Sequence, residues 1–295
     1  MLGIDSAALF VYNEGMSSTY KAPAKINLSL RVKGKREDGF HEVDILMAAL
    51  DLCDKLEFHN SRTTTLLCDT PGLPLDETNL VMRAVRAFEK VYGRKAKQRI
   101  TITKRIPMQA GLGGGSSDAA TTLLALNEVL GTNFSTEELR EMAAELGSDV
   151  AYFLTPGICR CTGKGELVTP MPERAEWTSP IVLLKPSFGV STPTAYRLLE
   201  SAKPLPGIPY EPQKVDGVVL ENHLEKPVFS KYPYLGLLKR WALQQEGVRA
   251  AMMSGSGSTI FALTHTPEQA QALAQAAKEQ VDATLTAFCG TVNPQ

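Results

Sequence analysis

An α+β fold in two domains is what this sequence predicts, and three observations carry the expectation. Strand-like segments with period-two alternation are interleaved with amphipathic helical runs on a mostly antiparallel plan, which argues against a doubly wound parallel sheet. The 295 residues are enough for two separate cores. The composition shifts at Pro170-Met171-Pro172 and again at Pro180, which places the domains at 16–178 and 179–295.

Apolar residues make up 43% of the chain and charged residues 21%, with a net charge of −1. That balance suits a soluble globular protein and speaks against a nucleic acid partner, because positive charge for an anionic ligand has to be local. Five cysteines without a Cys-x-x-Cys pair point to reduced thiols in the cytoplasm. No apolar run approaches a membrane span. Residues 1–15 carry Asp5 and Glu14 and no basic start, so they read as an extension, with Met16 an alternative start, and not as a signal peptide.

Taken in order, residues 22–33 place Ala22, Ala24, Ile26, Leu28, Leu30 and Val32 on one side and Lys25, Asn27, Ser29 and Arg31 on the other. That is the pattern of a half-buried strand. A polar connection ends at Phe40-His41, and an apolar stretch follows from Val43 to Leu52. Thr63–Cys68 reads as a strand and Pro71-Gly72 as a turn. Thr78 is expected to cap a helix from Asn79 to Val91, stopped by Gly93. Arg99–Ile106 alternates again, and a helix is expected from Ser116 or Ser117 to Leu130. Ser135 and Glu138 form a capping box for the next helix, which Gly147 stops before the apolar segment Val150–Leu154. In the second domain, strands are expected at Ile181–Leu184, Val248–Met253 and Thr259–Thr264. Thr266 with Pro267 opens a helix burying Ala270, Leu273, Ala274, Ala277 and Val281.

Between the third strand and its helix stands Gly111-Leu112-Gly113-Gly114-Gly115-Ser116-Ser117-Asp118. Consecutive glycines cost backbone entropy and pack nothing, so their use is close backbone approach to a ligand. At a helix mouth the ligand class is an anion, most often phosphate. Rossmann spacing would need glycine where Ser116 stands, and a Walker loop would need a lysine that is absent here. A second Gly/Ser turn, Ser254 to Ser258, suggests two loops facing one ligand. Neither loop holds an acid, base or nucleophile. Phosphoryl transfer to an alcohol requires a cradle, a cation and a carboxylate, and Lys25 and Asp149 would complete that set. Each singly has a plainer reading: Lys25 a solvated strand residue, Asp149 or Asn79 a helix cap, His41 a surface histidine.

Three blocks together resemble the GHMP kinase superfamily: Pro23-Ala24-Lys25-Ile26-Asn27-Leu28, Ile106 to Ser117, and Ser254 to Thr259. Asp38-Gly39-Phe40-His41-Glu42, Thr78-Asn79-Leu80, Gly147-Ser148-Asp149-Val150 and Val190-Ser191-Thr192 narrow the resemblance. They point to the branch that phosphorylates a cytidylyl-linked methylerythritol in non-mevalonate isoprenoid synthesis.

The resemblance implies a ribosomal-protein-like N-terminal domain, a ferredoxin-like C-terminal domain, and transfer from ATP with Mg²⁺ to the 2-hydroxyl of the sugar alcohol. It makes Asp149 the general base and Lys25 its cationic partner. Asn79 would contact adenine. Lys104, Pro107, Gly111, Leu112, Gly113, Gly114, Gly115, Ser116 and Ser117 would surround the ATP phosphates, with Ser117 a metal ligand by analogy. His41 would read the cytosine edge, with Phe40 and Tyr196 as stacking faces. Asn27, Thr194, Ser254, Gly255 and Ser256 would lie along the acceptor. Two departures stand out: Phe40 where the family usually has Tyr, and Glu221-Asn222-His223-Leu224-Glu225 where the family has Asn-Asp-Leu-Glu. The rival readings are a mevalonate- or homoserine-type kinase of the same superfamily, or a nucleotide-binding sensor that has lost catalysis. The expected partner is a small molecule, with neither nucleic acid nor membrane, for a monomer or homodimer in the cytoplasm.

Overall fold

The alternating run at 22–33 lies inside a longer strand, β2 (Ser17–Lys35), which follows the short β1 (Tyr12–Glu14). These are the first elements of a computed structural model that describes residues 12–14 and 17–293. The expected extension at 1–15 and the alternative start at Met16 therefore lie outside the described residues, apart from 12–14. The chain divides into two compact units. One comprises residues up to 23, 53–106 and 114–155, and the other 24–52, 107–113 and 156 onward.

In the first unit, β3 (His41–Asn60) contributes its second half, paired antiparallel with β5 (Gln98–Thr103). The strand β4 (Thr65–Cys68) lies parallel to β5. Three helices belong to this unit: α1 (Leu80–Tyr92), α2 (Gly114–Val129) and α3 (Thr136–Leu146). α1 packs on α2 and α3, and a 3-10 turn at Ala151–Leu154 packs on α2. The core holds Phe58, Val85, Phe88, Ile100, Leu123, Leu126 and Tyr152, all buried. Each such large side chain contributes ~1.5–3 kcal/mol. Both ends of α1 follow from sequence chemistry, but the cap is Asn79, one residue after the expected Thr78. The Asn79 Oδ1 accepts the Val81 N–H at 2.9 Å. The Ser135–Glu138 capping box of α3 forms as expected. α2 starts two residues before Ser116, because the glycines themselves make its first turn.

In the second unit, β6 (Ile158–Gly163) pairs with the first half of β3 and with β7 (Leu167–Pro170). β8 (Ser179–Lys185) precedes the short α4 (Thr192–Arg197), and β9 (Gln213–Val215) and β10 (Val218–Asn222) form a hairpin. The helices α5 (Glu225–Lys231) and α6 (Pro233–Leu243) lead into β11 (Val248–Met253) and β12 (Ile260–Thr264). α7 (Pro267–Gln280) and β13 (Thr286–Val292) complete the unit. The strands run β11-β12-β8-β13, all antiparallel, and Val292 of β13 stands opposite Leu50 of β3. β10 runs parallel to β2. Thr266 caps α7 and Pro267 stands in its first turn, as expected, and Gln269 completes a capping box.

Two expectations need correction here. The strand at 22–33 is half-buried only at its end, towards Arg31: Lys25 is 4% exposed and Asn27 1%, so there both faces are covered. Elements β1, β6, β7, α4, β9, β10, α5, α6 and β13 had no counterpart in the period reading. Pro193 and Pro233 punctuate that region as breakers would, yet each stands in the first turn of a helix, where its missing N–H costs nothing.

Candidate active site

In the second unit the two glycine-containing loops are bound to each other. The Thr259 N–H donates to the Ala110 carbonyl at 3.2 Å, and the Ser254 Oγ donates to the Gly111 carbonyl at 2.9 Å. Gly111 has φ +75°, and a Cβ there would overlap the Ser254 carbonyl oxygen. The Lys25 N–H donates to the Leu112 carbonyl at 2.9 Å, and the Lys25 Nζ donates to the Asn27 Oδ1 at 2.7 Å. A Cβ on Gly255 would lie 3.1 Å from that Oδ1 and 3.6 Å from the Lys25 Nζ. Lys25, Asn27, Gly111, Leu112, Ser254 and Gly255 therefore form one cluster, buried but for the half-buried Gly111, although they come from three separate stretches of chain. Ser256, next along the second loop, instead makes a 2.8 Å hydrogen bond between its Oγ and the Thr192 Oγ1. Substitution Gly111→Ala forces the two loops apart and strains the backbone. The expected loss of ~1–3 kcal/mol would be read by thermal unfolding of the ligand-free protein.

Elsewhere in this unit, the His41 and Tyr196 rings lie with centroids 5.0 Å apart, tilted by 31°. Phe40 is 58% exposed, and the Lys164 Nζ stands 5.0 Å from its ring centre. The Phe40 N–H donates to the Asp38 carboxylate, which that bond and the nearby Arg36 hold below the usual carboxylate range. Thr194 lies on α4, two residues before Tyr196, and Pro107 is half-buried.

In the first unit, α2 presents its N-terminal turn from Gly114, Gly115, Ser116 and Ser117. Backbone N–H groups there have no partners within the helix, so the turn is suited to an anion. Below it lies a buried trio. The Lys104 Nζ pairs with Asp54 and, at 2.8 Å, with Asp118. Asp54 also accepts the Arg105 and Ile106 N–H groups. Burial, reinforced by Asp54 and opposed by Lys104, pushes the Asp118 carboxyl up to about 7. Burial works against the Lys104 charge as well, but the two carboxylates outweigh it and its pKa is raised. Lys104 is thus compensated locally and is not a free charge beside the loop.

Asn79 uses one lone pair on Val81 and one N–H on the Pro74 carbonyl at 2.7 Å, leaving one of each on its amide. Asp149 sits half-buried in the turn after α3. The following 3-10 turn is entered at Val150, whose own side chain makes no capping bond. Among the described residues, no group of three or more His, Cys, Asp or Glu could hold a metal ion. The Ser117 Oγ is buried without a partner, as is the Asp118 Oδ1. A neutral hydroxyl so placed fits a Mg²⁺ that arrives with phosphate ligands of its own.

Asp54, Asp118, Asn222, Glu225 and Lys239, which organise these surroundings, carried no chemical role in the sequence. Only the glycine stretch that ends at Asp118 and the Glu221–Glu225 block signalled any of them.

Two domain families match the chain: GHMP kinases N terminal domain over residues 79–157 and GHMP kinases C terminal over residues 216–283. The fold and the paired glycine loops are those of a GHMP kinase. The 4-diphosphocytidyl-2-C-methyl-D-erythritol kinase of Protochlamydia amoebophila is 41% identical over 254 residues, covering 86% of each chain. A crystal structure of 4-(cytidine 5'-diphospho)-2C-methyl-D-erythritol kinase superposes with a TM-score of 0.77 at 33% identity, covering 94% of this chain and 100% of the other. The homoserine kinase of Cytophaga hutchinsonii shares the fold, with a TM-score of 0.71 at 23% identity over 96% of each chain. The chain belongs to the 4-diphosphocytidyl-2-C-methyl-D-erythritol kinase family. No helix among the described residues is long and apolar enough to cross a membrane.

Proposed function

We propose that the protein transfers the γ-phosphoryl group of ATP to the 2-hydroxyl of 4-diphosphocytidyl-2-C-methyl-D-erythritol, in the cytoplasm, as a step of isoprenoid precursor synthesis. The observation that best supports this is the buried cluster in which Lys25 and Asn27 meet both glycine loops. Residues 111–117, Pro107 and Lys104 serve the ATP phosphates, and the remaining donor and acceptor of Asn79 meet adenine. Magnesium, when bound through Ser117, neutralises phosphate charge.

Asp149 accepts the acceptor's hydroxyl proton. A tertiary alcohol is a crowded, weakly acidic nucleophile, so a positioned carboxylate is worth ~10²–10⁴-fold in rate. Lys25, its charge oriented by Asn27, stabilises the alkoxide that develops. His41 reads the cytosine edge, and Phe40 and Tyr196 offer faces to the base; the Phe at position 40 keeps stacking but has no phenol hydrogen bond. Asn27, Thr194, Ser254, Gly255 and Ser256 line the rest of the acceptor. A catalytically silent sensor would be expected to lack the base or the lysine, and both are present. The family domain border is proposed at 178/179.

Substitution His41→Ala is expected to raise KM for the cytidylyl acceptor by about tenfold with little change in KM for ATP. Steady-state kinetics with each substrate varied in turn test this. An effect confined to ATP would reverse the assignment of the two nucleotides.

A further inference from the structure

The block Glu221-Asn222-His223-Leu224-Glu225 has no part in the chemistry above, yet it reaches the second glycine loop. The Asn222 Nδ2 donates to two carbonyls, Met253 and Gly255, each at 2.8 Å, while its Oδ1 accepts the Leu224 N–H at 2.9 Å. The Glu225 Oε1 accepts the Met253 N–H at 2.9 Å, and its Oε2 pairs with the Lys239 Nζ at 2.6 Å. Lys239 is itself held by the Pro209 carbonyl at 2.7 Å. Asn222, Glu225 and Lys239 are buried. From the middle of the block, the His223 N–H donates to the Leu30 carbonyl at 2.9 Å and its Nδ1 accepts the Val32 N–H at 3.1 Å. The block therefore connects β2, which carries Lys25 and Asn27, to the loop that carries Gly255.

We propose that Asn222 and the Glu225–Lys239 pair are positioning residues that hold the loop 254–258 in the geometry needed to receive the acceptor. The proposal rests on the assignment of Ser254, Gly255 and Ser256 to the acceptor. Both backbone groups of Met253, where β11 ends, are committed to side chains of this block, so the loop's entry is fixed by them. Its exit is fixed separately: the Ser258 Oγ donates at 2.6 Å to the Phe188 carbonyl, which also accepts the Lys185 Nζ at 2.8 Å. A buried ion pair is a poor device for stability alone, since apolar side chains of equal volume often serve as well or better. Its polar atoms here also bond two backbone groups, the Met253 N–H and the Pro209 carbonyl, which apolar side chains would not.

The test is Asn222→Asp, which keeps the shape and turns the two donated bonds into repulsions. Acceptor kcat/KM should fall about tenfold or more while KM for ATP stays within about threefold. Hydrogen exchange of amides in 254–258 should quicken while that of α7 stays as in the wild type. If this variant does not fold, Asn222→Ser, which keeps one donor, is measured in the same way. Unchanged exchange in 254–258, or an equal loss towards both substrates, overturns the proposal. If the wild type fails to turn over the cytidylyl acceptor, the functional assignment falls, and the exchange measurement, which uses no substrate, still decides whether the block holds the loop.

Discussion

Asp149→Asn is expected to lower kcat by ~10²–10⁴-fold while the dissociation constants of both substrates stay within about threefold. Asparagine has the size and much of the hydrogen-bonding capacity of aspartate, but its amide cannot take a proton from an alcohol. Asp149 lies half-buried in the turn after α3, and it is the residue proposed above as the base. Titration with a non-hydrolysable ATP analogue and with the acceptor separates binding from turnover. A variant with near-wild-type kcat would remove Asp149 from that role.

The second large effect is on stability. Lys104→Met removes the one cation between Asp54 and Asp118, which are both buried. Breaking a buried pair from one side costs ~3–5 kcal/mol, because the charge left behind has no water to replace its partner. A marked drop in the melting temperature of the ligand-free protein is therefore expected. Adding Asp118→Asn to Lys104→Met should recover part of the loss, since one of the stranded carboxylates is then neutral. If Lys104 served the nucleotide alone, the ligand-free melting temperature would stay unchanged and only KM for ATP would rise.

These two residues show how far local pattern reaches. Helix ends were legible wherever one side chain does the work at short range: Gly93 after α1, Ser135 with Glu138 before α3, Thr266 with Gln269 before α7. The two glycine loops stood out for a related reason, since nothing but close backbone approach explains so many glycines. Burial was not legible at Lys25, because alternation describes one strand and cannot report what covers its other face. The same holds for Lys104. Its partners lie 50 and 14 residues away in the chain, and no spacing rule joins them. Helices α4 to α6 were missed because a proline at a first turn and a proline in a loop look alike without the fold. The link between Asn222 and Gly255 is equally long-range, at 33 residues. What the chain displays locally is its caps and its glycine loops. What it hides is the charge compensation and the framework around them.

The central claim is tested most directly by supplying the purified protein with ATP, Mg²⁺ and, in separate reactions, 4-diphosphocytidyl-2-C-methyl-D-erythritol, mevalonate or homoserine. Phosphorylation of the cytidylyl substrate alone, at its 2-hydroxyl, is the predicted result. Turnover of mevalonate or homoserine in its place would contradict the account.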